Sequence, residues 1–210
     1  MTDPTAKLLA VASGSIGTPI CGDRDRGSEV PPELFRLLSG RNGFYAFESA
    51  LHVFAIGPSD KKDLDLLTWN RQDLWRQAYP GFIEPGDLFF AQDAFGGQFV
   101  LREGVVYSFD PETGGLEVIA KNLDEWARAI LADFEYLTGY PMAHSWQELN
   151  GPIPIGRRLV PKVPFVLGGE FEPGNLAALD AVKGMLFRGD VATQIRDLPD
   201  GSSVELRMVE

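Results

Sequence analysis

Two histidines, one cysteine and thirty acidic side chains are the raw material for chemistry in this chain. His52 and His144 lie far apart, and neither belongs to an HxxxH or ExxH pair. A zinc enzyme needs three nitrogen, sulfur or carboxylate ligands around an open position, and no such set is readable here. His52 stands in an apolar run and reads as a core-edge or surface residue. His144 stands beside Trp146 and reads as a loop residue. Cys21 is alone, so it forms no internal disulfide and no thiolate zinc site. With no histidine near it in sequence, it gives no support to a thiol nucleophile. No metal, no cofactor and no catalytic residue is expected.

Asp60, Asp63 and Asp65 have the look of a calcium loop, but the positions fail. Such a loop needs D-x-[DN]-x-[DN]-G. Counting from Asp60, Lys62 takes the third place. Counting from Asp63, Leu67 takes the fifth and Thr68 stands where glycine should be. The stretch reads as a solvated charged loop. No G-x-S-x-G elbow occurs. Gly96-Gly97 and Gly168-Gly169 belong to neither phosphate-binding glycine pattern. Carboxylate pairs for glycoside hydrolysis are defined by separation in space. With thirty acids to choose from, any one pair has little specificity.

The elements that must position these residues centre on Phe89 to Ile119. Apolar runs Leu88-Phe89-Phe90, Phe99-Val100-Leu101 and Val105-Val106-Tyr107 are separated by Gly96-Gly97 and by Glu103-Gly104. A Glu-Gly link between such runs is a hairpin signal, because glycine accepts the positive φ of a tight turn. Before this block, Pro31-Pro32 opens a helix with Leu34, Phe35, Leu37 and Leu38 on one face, stopped by Asn42-Gly43. Leu51 to Ile56 reads as a strand and Trp69 to Tyr79 as a helix. After the block, Asn122 caps a helix over Leu123 to Leu137, with Glu125 placed as in a capping box. Trp126, Ile130, Leu131, Phe134 and Leu137 form its stripe, and Gly139 and Pro141 end it. Further on, Phe165 to Leu167 reads as a strand, Asn175 as the cap of a helix through Val182, Val191 to Ile195 as a short helix and Val204 to Val209 as a strand.

The organisation expected is an irregular segment over 1–26, a main domain over 27–150, and a C-terminal extension over 151–210 packed on it. Pro- and Gly-rich Gly151 to Pro164 is the connection. The fold class is α+β: mainly an antiparallel sheet meander with helices packed on one side, plus a C-terminal α/β extension. At 210 residues and 44% apolar composition, a sizeable core can form. A net charge of -11 repels phosphate backbones, so no nucleic-acid partner is expected. The same charge would steer a basic partner, or simply maintain solubility. No apolar run is long enough to span a bilayer, so no membrane partner is expected, and the lone cysteine and absent signal pattern fit a cytoplasmic protein.

Val30 to Phe54 (VPPELFRLLSGRNGFYAFESALHVF) resembles the opening of the SUKH superfamily, the fungal cell-wall-synthesis regulators and their bacterial relatives. Phe89 to Leu101 looks like that family's acidic, glycine-rich turn before a strand. Gly104 to Leu131 is similar to its Tyr-x-Phe-Asp hairpin and closing helix. The resemblance covers Val30 to Leu137. Gln98 and Phe99 follow the double glycine where the family carries more polar residues. The resemblance implies a non-enzymatic immunity protein that occludes a cognate bacterial toxin, with a basic nuclease as one such target. The alternatives are an intracellular scaffold or regulatory adaptor and a carboxylate-dependent enzyme. Partner contacts are expected at Asp60, Asp63, Gln92, Asp93 and Phe95.

Overall fold

The computed structural model describes residues 3–22, 29–57, 63–199 and 201–202. Its centre is a six-stranded antiparallel meander in sequence order: β1 Phe44–Ala46, β2 Leu51–Val53, β3 Leu88–Gln92, β4 Gln98–Arg102, β5 Val105–Phe109 and β6 Leu116–Ala120. The β4–β5 link is the expected tight turn, with Glu103 at φ 50° and Gly104 at φ 82°. Two successive positive φ values match the right-handed twist of the strands they join. A bulge between Phe89 and Ala91 interrupts the β3–β4 register. Strand alternation sends Phe89 and Phe90 to opposite faces, where they meet Trp75 and Trp126.

Helix α4, Leu123–Ala132, covers one face. Its Trp126 packs edge-on against Phe90 and Phe99. Asn122 Oδ1 accepts from the Glu125 amide at 2.9 Å, while Glu125 turns back to the Lys121 amide. The opposite face carries Phe89 and Phe109 and is covered by Trp69, Trp75 and Tyr79. Helix α7, Ala181–Ile195, joins that layer through Met185, and the Tyr79 hydroxyl donates to the Pro111 and Met185 carbonyls. Helices therefore lie on both sides of the sheet, and the C-terminal segment supplies part of the second layer.

Several local expectations are corrected. The segment 1–26 contains α1, Pro4–Val11, started by Asp3, whose side chain accepts from the Thr5 amide, and by a proline in the first turn. Its short length hid it, yet Leu8 is fully buried. Helix α2 spans Pro32–Gly40 as expected. The Trp69–Tyr79 helix is replaced by α3, Leu66–Trp69, and a 3₁₀ turn at Arg76–Ala78. Asp65 caps α3 by accepting from the Leu67 and Thr68 amides, which sets the start three residues early. The helix expected through Leu137 breaks at Asp133, which then accepts from the Tyr136 amide to start α5, Phe134–Thr138. Pro141 opens α6, Tyr140–Asn150, because a first-turn proline removes no intrahelical bond. His144 is thus helical, not in a loop.

In the C-terminal segment, β7 Arg157–Pro161 pairs with β8 Leu176–Asp180. Phe165–Leu167 is a 3₁₀ turn, not a strand. Asn175 starts no helix. Its side chain ties the Val163 amide and carbonyl to the Glu170 carbonyl. The expected strand over Val204 to Val209 lies outside the described residues.

Leu159, Val160, Leu176 and Met185 are all buried. Each such side chain contributes roughly 1.5–3 kcal/mol, against a whole-domain stability of about 5–15 kcal/mol. A chain ending at residue 155 is therefore expected to lose its single cooperative urea transition. An unchanged midpoint in urea denaturation would show that the segment only decorates the sheet.

Candidate cleft at the end of the sheet

The turn that joins β3 to β4, Asp93 to Gly97, closes on itself through the Asp93 amide to Gly97 O at 2.8 Å and the Gly96 amide to Asp93 O at 3.2 Å, and its other backbone groups are met by the Asp93 side chain and by distant segments. Asp93 Oδ1 accepts from the Phe95 amide at 2.8 Å and the Gly97 amide at 2.7 Å. A Cβ on Gly97 would sit 2.4 Å from Asp93 Oδ2, so only glycine fits there. The Ala94 amide donates to Thr138 O in α5 at 3.1 Å, and Ala94 O accepts from the Leu159 amide in β7 at 2.9 Å. From α7, the buried Arg188 guanidinium donates to the Phe95 carbonyl. The Phe95 ring is thereby aimed between the rings of Phe165 and Phe171, edge-on, at centroid distances of 6.1 and 5.7 Å.

Asp93, Phe95, Gly97 and Arg188 form the floor of a cleft of about 860 Å³ across the end of the sheet. One wall is α5 and the start of α6; another is the β5–β6 loop with β6; the third is the 3₁₀ turn at 165–167 with Phe171. Glu112 holds the third wall in place: it is buried, and its Oε2 accepts from the Val166 amide at 2.9 Å. At the rim, Tyr136 is 81% exposed and Phe171 63% exposed. Among the described residues, five carboxylates line the cleft, Asp93, Asp110, Glu112, Glu117 and Glu135, against one cation, Arg188. Burial raises the pKa of Asp93 to about 6, opposed by the Gly97 and Phe95 amides and by Arg188 and Arg158. Burial likewise raises that of Glu112.

Of the expected contact residues, Asp93 and Phe95 meet in this cleft. Gln92 and Asp63 lie behind it in a buried polar chain. Trp69 Nε1 donates to Gln98 at 3.0 Å, Gln98 Nε2 donates to Gln92, and Gln92 Nε2 donates to His52 Nδ1 at 3.0 Å. Burial drives the His52 pKa well below its ordinary value, and Arg158 adds to this, so the ring is neutral. Its Nε2 lies 3.3 Å from Asp63 Oδ2, off the line of a good hydrogen bond, and the Tyr45 hydroxyl donates to the same carboxylate. His52 is a core residue, 1% exposed, and not an edge residue. Asp60 lies outside the described residues. His144 pairs with Glu48 at 2.7 Å on the surface. Among the described residues, no three histidine, cysteine, aspartate or glutamate side chains are grouped to hold a metal ion.

Sequence reasoning missed Glu112, Tyr136, Phe171 and Arg188. The DPETGG turn after Phe109 was a usable signal for Glu112, because Asp110 accepts from the Glu112 amide and shapes that loop. Nothing local marks the other three.

No family model and no curated protein matches the chain. Among solved structures, the crystal structure of Atu4351 from Agrobacterium tumefaciens is similar, with a TM-score of 0.58 and 13% identity, covering 89% of this chain and 87% of that one. At that identity the likeness is one of fold. No helix among the described residues is long and apolar enough to cross a membrane.

The raised pKa of Asp93 fixes a sign. The native state holds its proton where the unfolded chain has released it, so stability from this group is present below pH ~4 and declines as pH rises to about 6. The decline amounts to roughly 2–3 kcal/mol. Asp93→Asn keeps an oxygen for the two amides and removes the titration. The fall in urea-derived unfolding free energy between pH ~4 and ~7 is expected to be smaller by that amount than in the parent chain. An identical pH profile in the variant would rule out Asp93 as the source.

Proposed function

We propose that this chain is a protein-binding module that neutralises a cognate toxin by covering it, with the cleft at the sheet end as its docking face. The observation that carries this reading is the rim: Tyr136 and Phe171 stand exposed around an aromatic floor bordered by acids. Exposed aromatics around a concave apolar site mark interaction surfaces, and aromatic anchors with a polar rim are where binding energy concentrates. The net charge of -11 favours a basic partner such as a nuclease and speeds encounter. The SUKH resemblance of Val30 to Leu137 points the same way. The module would act in the cytoplasm of the cell that makes it, by steric and electrostatic occlusion. A scaffold or adaptor role would use the same face on other partners.

One observation favours carboxylate chemistry instead: Asp93 and Glu112 line one cleft and burial raises both pKa values. Against it, each carboxylate already accepts from backbone amides that hold a loop in place. Holding the cleft in shape accounts for both groups.

The test is co-expression with toxin domains encoded beside its gene, followed by titration of the purified pair. Rescue of growth is expected, and Tyr136→Ala with Phe171→Ala should weaken the complex by roughly a hundredfold or more while the variant still unfolds in a cooperative transition. Rescue that survives the double substitution at full affinity would move the docking face elsewhere. Absence of any bound toxin would sink the neutralising role.

A further inference from the structure

The five carboxylates of the cleft divide into two groups. Asp93 accepts from two amides of its turn, Asp110 from the Glu112 amide and the Thr113 hydroxyl, and Glu112 from the Val166 amide. These three hold the walls in shape. Arg188 is committed as well, to the carbonyls of Phe95 and Gly184. Glu117 on β6 and Glu135 on α5 are different. Both are exposed, both line the cleft from separate elements, and no side-chain hydrogen bond or ion pair among the described residues holds either one. Among the described residues, the charge left available to a ligand is therefore negative on two walls, while the rest of the lining is largely apolar and includes Phe95 and Phe171.

We infer that the cleft takes a short basic segment of a partner protein, its arginine or lysine stems lying on Phe95 and Phe171 and its cationic heads reaching Glu117 and Glu135. This deepens the docking reading above and rests on it. Long basic side chains suit the site because an apolar stem and a charged tip are joined in one residue. Tyr136 at the rim adds a ring face for a guanidinium. A cleft of about 860 Å³ is as large as pockets that enclose whole drug-sized ligands, more than one ammonium head fills. An extended segment of a few residues fits that size. A nucleic acid or an anionic membrane surface is disfavoured by the same carboxylates.

The experiment is an NMR titration of the full chain with a blocked hexapeptide alternating arginine and leucine, and with its glutamate–leucine counterpart. The basic peptide is expected to shift the amide resonances of Glu117, Glu135 and Phe171. Its affinity should fall as salt rises from about 50 to about 500 mM, because exposed charges are screened. Glu117→Gln with Glu135→Gln should weaken it about fivefold or more, with the melting temperature unchanged. Equal binding of the acidic peptide, shifts confined to other surfaces, no shift at millimolar peptide, or indifference to the double substitution would each overturn the inference. The two readings fail separately. A toxin neutralised equally well by the double variant removes the basic-segment inference and leaves neutralisation standing. A peptide that binds the cleft of a chain with no toxin partner does the reverse.

Discussion

Arg188 reaches back 93 residues to the carbonyl of Phe95, and three elements distant in sequence meet at that tip. The turn from Asp93 to Gly97 pairs the Asp93 and Gly96 amides within itself and leaves the Ala94 amide and the Ala94 and Phe95 carbonyls to other elements. A buried N–H or C=O without a partner costs as much as a lost hydrogen bond. Here α5 supplies the carbonyl of Thr138, β7 the amide of Leu159 and α7 the guanidinium of Arg188. Three elements distant in sequence are thus fixed on five residues. The buried charges offset one another: Asp93 lies in the field of both Arg188 and Arg158. A single buried cation without such surroundings would be costly.

Two cores flank this junction. The larger one fills both faces of the meander with interlocked rings, from Trp126 on one side to Trp75 and Phe109 on the other. The smaller one gathers Ala94, Ala143, Trp146, Leu159 and Leu176 and binds α6 to the β7–β8 pair. Phe95 is partly buried against this smaller core and lines the cleft at the same time. The cleft therefore depends on both cores for its walls, and closely packed interiors move little. A rigid floor with exposed rim aromatics is a preorganised binding surface, which lowers the ordering cost of association.

The parts of the fold legible in the sequence are those set by local rules. The meander strands follow from apolar runs separated by glycine turns, and Glu103-Gly104 adopts the positive φ pair its residue types predict. Asn122 caps α4, and Pro32 opens α2. Misreadings fall where tertiary contacts outweigh local preference. Leu74, Trp75 and Ala78 carry helical spacing, but Trp69 is buried against Phe54 and Trp75 against Phe89, and the chain takes a turn between the two tryptophans. Asn175 has a helix-capping residue type, but two loops use its amide instead. The Gly151 to Pro164 stretch has linker composition, yet β7 runs through it because its backbone pairs with β8 and its Leu159 amide with Ala94.

By itself, the sequence determined an acidic chain of -11 charge with a glycine-punctuated meander, a capped amphipathic helix and a pointed turn containing Asp93 and Phe95. Composition and short-range spacing suffice for these, because charge, φ preference and amphipathic period are properties of a residue and its near neighbours. Tertiary structure alone decided that Asp93 is partly buried in the field of two arginines, that Gln92, Asp63 and His52 face inward, and that Glu117 and Glu135 share a cleft rimmed by Tyr136 and Phe171. Each of those facts joins residues far apart along the chain. Their meeting is set by how the two cores pack, which no local pattern encodes.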